Sequence, residues 1–241
     1  MNGFAKVIAT IVMAIATVIF VGCHKPDEPE NGENNGNNDT IEEVGVVDLG
    51  LPSGILWATC NVGAETPKDC GDFFAWGETT PKDFYDWKNY KYCSYDGEKF
   101  ALTKYCVDSS CGLNGFVDNL TVLEPEDDAV MANLGTGWRM PTREEYEELN
   151  QETTFVWITR NGVEGRLLTG PNGNSIFFPA TGFYLDGEVI CTGLGIYWSS
   201  SLQTTSQVSA WSLHFDYEEC HVCATYERSR GHCIRAVREA N

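Results

Sequence analysis

Turn-forming residues divide this chain so often that long elements are excluded over most of it. Between Val44 and Arg238 each apolar or alternating run is short and bounded by Gly, Pro, Asn or Asp. VGVVDLG at 44–50 and ILWATCNVG at 55–63 flank Pro52, Ser53 and Gly54, which reads as a strand, a tight turn and a second strand. FFAWGET at 73–79 is a further candidate strand. Beyond a helical middle, FVWITRNGVEGRLLTGPNGNSIFFPATGFY reads as a meander turning at Asn161-Gly162 and Asn172-Gly173. GIYWSSS at 195–201, VSAWSLHFD at 208–216, CHVCATY at 220–226 and CIRAVR at 233–238 complete the strand series. Strands on both sides of a helical middle predict an α+β fold with the terminal strands adjacent. The chain has 24 Gly and only four Met, which also suits strands and turns more than a bundle. No repeat of the solenoid or propeller kind is visible.

Two helices are expected in the middle. In MPTREEYEELN, Thr142 and Glu145 form a capping box behind Pro141, and Tyr146 and Leu149 share a face. The acids of this helix read as a solvated face, not as a catalytic pair. Glu124, Pro125, Glu126, Asp127 and Asp128 precede AVMANLG, where acids complement a helix N-terminus. The alternative for Glu126, Asp127 and Asp128 is calcium ligation, since hard oxygen donors in a loop suit that ion; the EF-hand spacing is absent. The segment 83–119 reads as a long irregular excursion stapled by Cys93, Cys106 and Cys111, and its aromatic residues argue for order.

The amino terminus is set apart by composition. Lys6 is the only charge in 1–22, and Val7 to Gly22 is a nearly unbroken apolar run of about 16 residues, short of the roughly 20 that a spanning helix needs. It therefore reads as a signal peptide, and Phe20, Val21, Gly22 and Cys23 resemble a bacterial lipoprotein processing site with Cys23 as the acylated residue. A single-pass anchor is the alternative, and both place the chain outside the cytosol. Residues 23–43 carry no apolar side chain from His24 to Thr40 and read as a disordered acidic tether. Asp27 and Glu28 resemble a surface-export signal of Bacteroidetes lipoproteins, and Asp39, Thr40 and Ile41 resemble an O-glycosylation acceptor. The expected location is the outer membrane, lipid-anchored and exposed at the cell surface, with a single domain over 44–241. The formal charge of −19 argues against nucleic acid as a partner, because an acidic field repels phosphate. With 42% hydrophobic residues the chain still has material for a sizeable core. Of ten cysteines nine lie beyond Cys23, so in an oxidising compartment some should pair and one is left over.

Seven blocks in order, VDLGLPSGILWATCNVGA, FFAWGETTPK, NLTVLEPEDDA, WRMPTREEYEEL, GPNGNSIFFPATG, YWSSS and GHCIRAVR, together resemble the Fibrobacter succinogenes major paralogous domain, a family of surface lipoproteins of gut Bacteroidetes. The resemblance covers nearly all of Val44 to Arg238. It implies a C-type lectin-like fold in its formylglycine-generating-enzyme variant, with paired terminal strands, two flanking helices and a loop-rich face that holds a ligand. It implies little about biochemical role.

Three classes of function remain open. The first is a non-catalytic ligand-binding module for adhesion or recognition of an extracellular protein or glycan. Strand alternation supports it: Trp211, Leu213 and Phe215 form an apolar set opposite Ser212 and His214, and Val222, Ala224 and Tyr226 oppose His221, Cys223 and Thr225. The mixed face, continued through Tyr217, Glu227, Arg228, Ser229 and His232, resembles the variable region of retroelement-diversified proteins on the same fold. An ordinary solvated sheet face is the alternative. The terminal cations Arg228, Arg230, Arg235 and Arg238 mark where a partner is expected to dock. For a glycan, the EPN, QPD and WND tripeptides of calcium-dependent lectins are absent, although Glu124-Pro125-Glu126 comes near the first. The second class is an enzyme of the formylglycine-generating type, which would use Cys220 and Cys223; strand geometry turns these to opposite sides, and no other catalytic motif is present. The third is a structural subunit whose exposed strand edge takes a partner's strand. No cofactor is expected, with calcium the open alternative.

Overall fold

The computed structural model describes residues 45–185, 188–190, 193–224 and 226–240. The expected signal peptide, Cys23, the acidic tether and its motifs, Cys191 and Thr225 lie outside the described residues. Glu42–Asn241 form one compact unit. Among the described residues no helix is long and apolar enough to cross a membrane.

The unit is built of small antiparallel sheets with two helices, an α+β arrangement. The first sheet joins the two ends of the unit: β1 (Val46–Asp48) pairs with β2 (Leu56–Asn61), and β2 pairs on its other side with the last strand, β13 (Arg235–Arg238). The first and last strands thus share one sheet, with β2 between them. Arg235 fastens this join from inside: its guanidinium, fully buried, donates to Asn61 Oδ1 at 2.8 Å and to the carbonyls of Ala58, Thr59 and Phe177. Such a buried cation is tolerated because its donors all meet oxygen.

FFAWGET makes no strand. Phe74 alone bridges, to His232, and the chain then turns at Gly77, whose φ of 80° suits a residue without a Cβ. The excursion at 83–119 contains a hairpin, β3 (Cys93–Tyr95) with β4 (Phe100–Leu102). Cys93, Cys106 and Cys111 remain thiols and do not staple it. Rings and one carboxylate order it instead. Trp87 stacks on Phe100 at 4.2 Å, and Asp118 accepts from the amides of Tyr105, Cys106 and Leu120.

Both helices form. In α1 (Ala129–Leu134) Asp128 caps the N-terminus by accepting from the amides of Val130 and Met131. In α2 (Arg143–Glu152) Thr142 and Glu145 make the reciprocal capping box, and Tyr146 and Leu149 turn inward. Tyr146 lies 5.6 Å from Trp57 of β2. The meander is β5 (Thr154–Arg160), β6 (Val163–Thr169) and β7 (Ser175–Pro179), and the short hairpin β8 (Phe183–Leu185) with β9 (Glu188–Ile190) follows. The last sheet is β10 (Gly195–Leu202), β11 (Ala210–Phe215) and β12 (Cys220–Cys223). Gly195 is required there, because a Cβ on it would sit 2.1 Å from the Phe215 ring.

Between β12 and β13 the chain threads through the interior, which decides where the site residues lie. Arg228 N donates to Val208 O, Trp76 N to Arg228 O, Phe74 and His232 exchange two backbone hydrogen bonds, and Trp198 N donates to Cys233 O. These contacts tie the first and last sheets together along one buried seam.

Candidate functional site

The register of β11 and β12 places Ser212 opposite Cys223 and His214 opposite His221, so these four share one face, with Leu213 and Phe215 buried on the other. That much follows the expected alternation. Three departures matter. Trp211 is half-buried and does not join the core set; the Arg143 guanidinium covers its ring at 3.7 Å. Ser212 is fully buried and donates to Cys223 O at 3.2 Å. Tyr226 packs against the core but is only partly buried, because β12 ends at Cys223 and alternation has no hold beyond it. Its ring also meets His214 at 5.8 Å and His232 at 4.8 Å.

The expected exposed face is corrected further along the chain. Arg228, Ser229 and His232 are buried to 1% exposure or less, because they lie on the interior seam. Arg228 donates to the carbonyls of Tyr105 and Lys104 and lies against the Trp76 and Tyr90 rings. Arg235 is the internal clamp described above, and Arg238 lies 5.0 Å from the Trp138 ring. Of the terminal cations Arg230 is the one that reaches solvent with half its side chain, paired by Nε with Glu227 at 3.4 Å. Tyr217 and His221 are exposed, and His221 Nε2 sits 2.8 Å from Glu219. Cys223 and Glu227 are partly exposed.

The calcium candidates are engaged by the protein itself. Asp127 is buried and accepts from Lys91 at 3.1 Å, Lys104 at 2.6 Å, Tyr105 at 2.7 Å and the Tyr92 hydroxyl. Burial alone would raise its carboxyl, but these donors outweigh it and hold the group at about 2. Asp128 is consumed by three backbone amides, those of Val130, Met131 and Met140. Glu126 is exposed, 3.9 Å from Lys104. Two ammonium groups already neutralise the position that a cation would take. Among the described residues no group of three or more His, Cys, Asp or Glu side chains is placed to hold a metal ion.

What the structure does bring together is a line of rings ending in a cavity. Trp198, fully buried, contacts His232 at 4.5 Å; His232 contacts Tyr226, and Tyr226 contacts His214. Beside Tyr226 and His232 lies a half-open cavity of about 260 Å³, lined also by Phe183 and Tyr184 of β8 and by Arg230. Tyr184 is held in place edge-on to Tyr85, at 5.2 Å. Neither nitrogen of His232 has a hydrogen-bond partner among the described residues. Burial, aided by the Arg230 charge, pushes its imidazole down to about 3, so the ring is neutral at any ordinary pH. Burial also lowers His214, whose Nε2 has no partner among the described residues. Burial pushes the Cys220 thiol up to about 11, far from a thiolate at neutral pH.

Of the described lining residues, the sequence indicates His232 for ligand contact and Arg230 among the cations where a partner is expected to dock. Phe183, Tyr184 and Tyr226 were not singled out for ligand contact. An aromatic pair directly after the PATG turn was the available signal for the first two. For Tyr226 strand alternation indicates the core side, against which it packs, and gives no sign that it also lines a cavity. No protein-family model, curated protein or solved structure matches this chain.

Proposed function

We propose that the protein is a lipid-anchored, surface-displayed, non-catalytic ligand-binding module with a C-type lectin-like domain of the formylglycine-generating-enzyme variant. The observation that carries this reading is the aromatic cavity of Phe183, Tyr184, Tyr226, Arg230 and His232. A concave, mostly apolar site with a few polar groups at its edge is the ordinary form of a small-ligand pocket. The sheet shared by the first and last strands and the two helices support the fold proposed. An enzyme of the formylglycine-generating type would need reactive thiolates, and a Cys220 thiol at about 11 speaks for a structural role.

The test is capture of ligands from an array of glycans and extracellular proteins by the full chain and its variants. Tyr226→Ala is expected to reduce capture at least tenfold with the circular dichroism spectrum unchanged. The pair His214→Ala and His221→Ala, on the sheet face, is expected to reduce it less. Equal capture by Tyr226→Ala and wild type overturns the cavity as the binding site.

One feature favours the structural-subunit reading as the alternative. Among the described residues β5 pairs on one side only, with β6, and it exposes Phe155 and Val156 at 43% and 55%. An unpaired edge of that kind can accept a partner's strand. Light scattering of the full chain decides it, because self-assembly through this edge is abolished by Val156→Lys and ligand capture in the cavity is not.

A further inference from the structure

We infer that the ligand of this cavity is a small flat-ring carboxylate, with the ring against Phe183, Tyr184 and Tyr226 and the carboxylate against Arg230. The inference rests on the binding reading above and adds the chemical class. Three aromatic side chains of the wall present apolar surface and ring quadrupoles that suit another flat ring. At about 260 Å³ the space lies just below the range of drug-sized pockets, which fits one ring better than a peptide segment.

The charge comes from Arg230. Its neighbours direct their terminal nitrogens at backbone carbonyls: Arg228 at Tyr105 and Lys104, Arg235 at Ala58, Thr59 and Phe177. Arg230 pairs with Glu227, Nε to carboxylate at 3.4 Å, and among the described residues its terminal nitrogens donate no hydrogen bond to a protein acceptor. That free fork matches the two oxygens of a carboxylate.

Two other ligand classes fit less well. A neutral sugar carries more hydroxyls than the two His232 nitrogens and the Arg230 fork can pair, and the remainder would be buried against ring faces, where unpaired polar groups are costly. A cation would gain from the rings but would face the fixed charge of Arg230.

The experiment compares 3-phenylpropanoate with its uncharged amide by isothermal titration calorimetry on the full chain. The acid is expected to bind at least tenfold more tightly than the amide, and Arg230→Gln is expected to erase that difference while leaving amide binding unchanged. Because Arg230 is half exposed, the variant folds. Equal binding of acid and amide to wild type, or a preference that survives Arg230→Gln, overturns the ligand class and leaves the cavity reading intact. Binding of neither probe overturns the ligand class as well, and the array result with Tyr226→Ala then judges the cavity independently.

Discussion

Asp127 and His232 are buried titratable groups whose shifts have opposite charge logic. The Asp127 carboxylate is charged and surrounded by two ammonium groups and two phenols. Its folded value of about 2 lies below the unfolded value near 3.9, so its contribution is complete above about pH 4 and is lost as pH falls toward 2. The shift corresponds to roughly 2 kcal/mol. Asp127→Asn strands the ammonium groups of Lys91 and Lys104 and is expected to cost about 3 kcal/mol in urea unfolding at pH 7. His232 is neutral, at about 3 in the fold against about 6.5 unfolded. Its contribution is complete above about pH 6.5; as pH falls below that, the unfolded chain takes up a proton that the fold refuses. Stability is lost at about 1.4 kcal/mol per pH unit until about pH 3. His232→Phe keeps a ring and removes the titration, so its unfolding free energy between pH 6 and 4 should fall less steeply than that of wild type by that slope. Parallel slopes would mean that His232 is charged in the fold. Neither role is legible from residue type, since an acid before a helix suggests a cap or a calcium ligand and a histidine near a terminal strand suggests a surface contact. Burial separates these readings, and burial depends on the route of the whole chain.

Elements were legible wherever local chemistry decides. The capping box of α2 stands as Thr142 and Glu145 predicted, and Thr142→Ala is expected to cost about 1 kcal/mol by thermal unfolding. The β5–β6 hairpin turns where Asn161-Gly162 indicated, with φ of 51° and 85° at the two residues, a conformation that favours Asn and Gly. Gly162→Val is expected to cost about 1–2 kcal/mol, measured the same way. Where an element is set by distant partners, the sequence misled. FFAWGET has strand composition, yet Phe74 alone finds a bridging partner, in His232. CHVCATY alternates to Tyr226 in sequence but pairs only as far as Cys223, and that early end frees Tyr226 to line the cavity. The strand signal carries no information on how far a neighbour extends.

At the scale of the molecule, the two ends of the domain meet in one sheet, and Arg235 locks β13 to β2 and β7 from the inside. Removal of residues 235–241 takes away a central packing strand and its buried clamp. The truncated chain is expected to lose its cooperative unfolding transition by circular dichroism, whereas removal of Ala240 and Asn241 alone changes nothing. The buried seam from Arg228 to Cys233 links this sheet to β10, and it carries His232 and Arg230 to the cavity that β8 lines. The terminal histidines and arginines looked like one surface patch in sequence. In the fold they divide into internal clamps, Arg228 and Arg235, and a site, Arg230 with His232. Ligand entry into this cavity is what the proposed function requires. Nuclear magnetic resonance shift mapping of the full chain titrated with 3-phenylpropanoate tests it most directly. The largest shifts are expected on Phe183, Tyr184, Tyr226, Arg230 and His232. Shifts centred on Tyr217 and His221 would place the site on the sheet face and overturn the cavity.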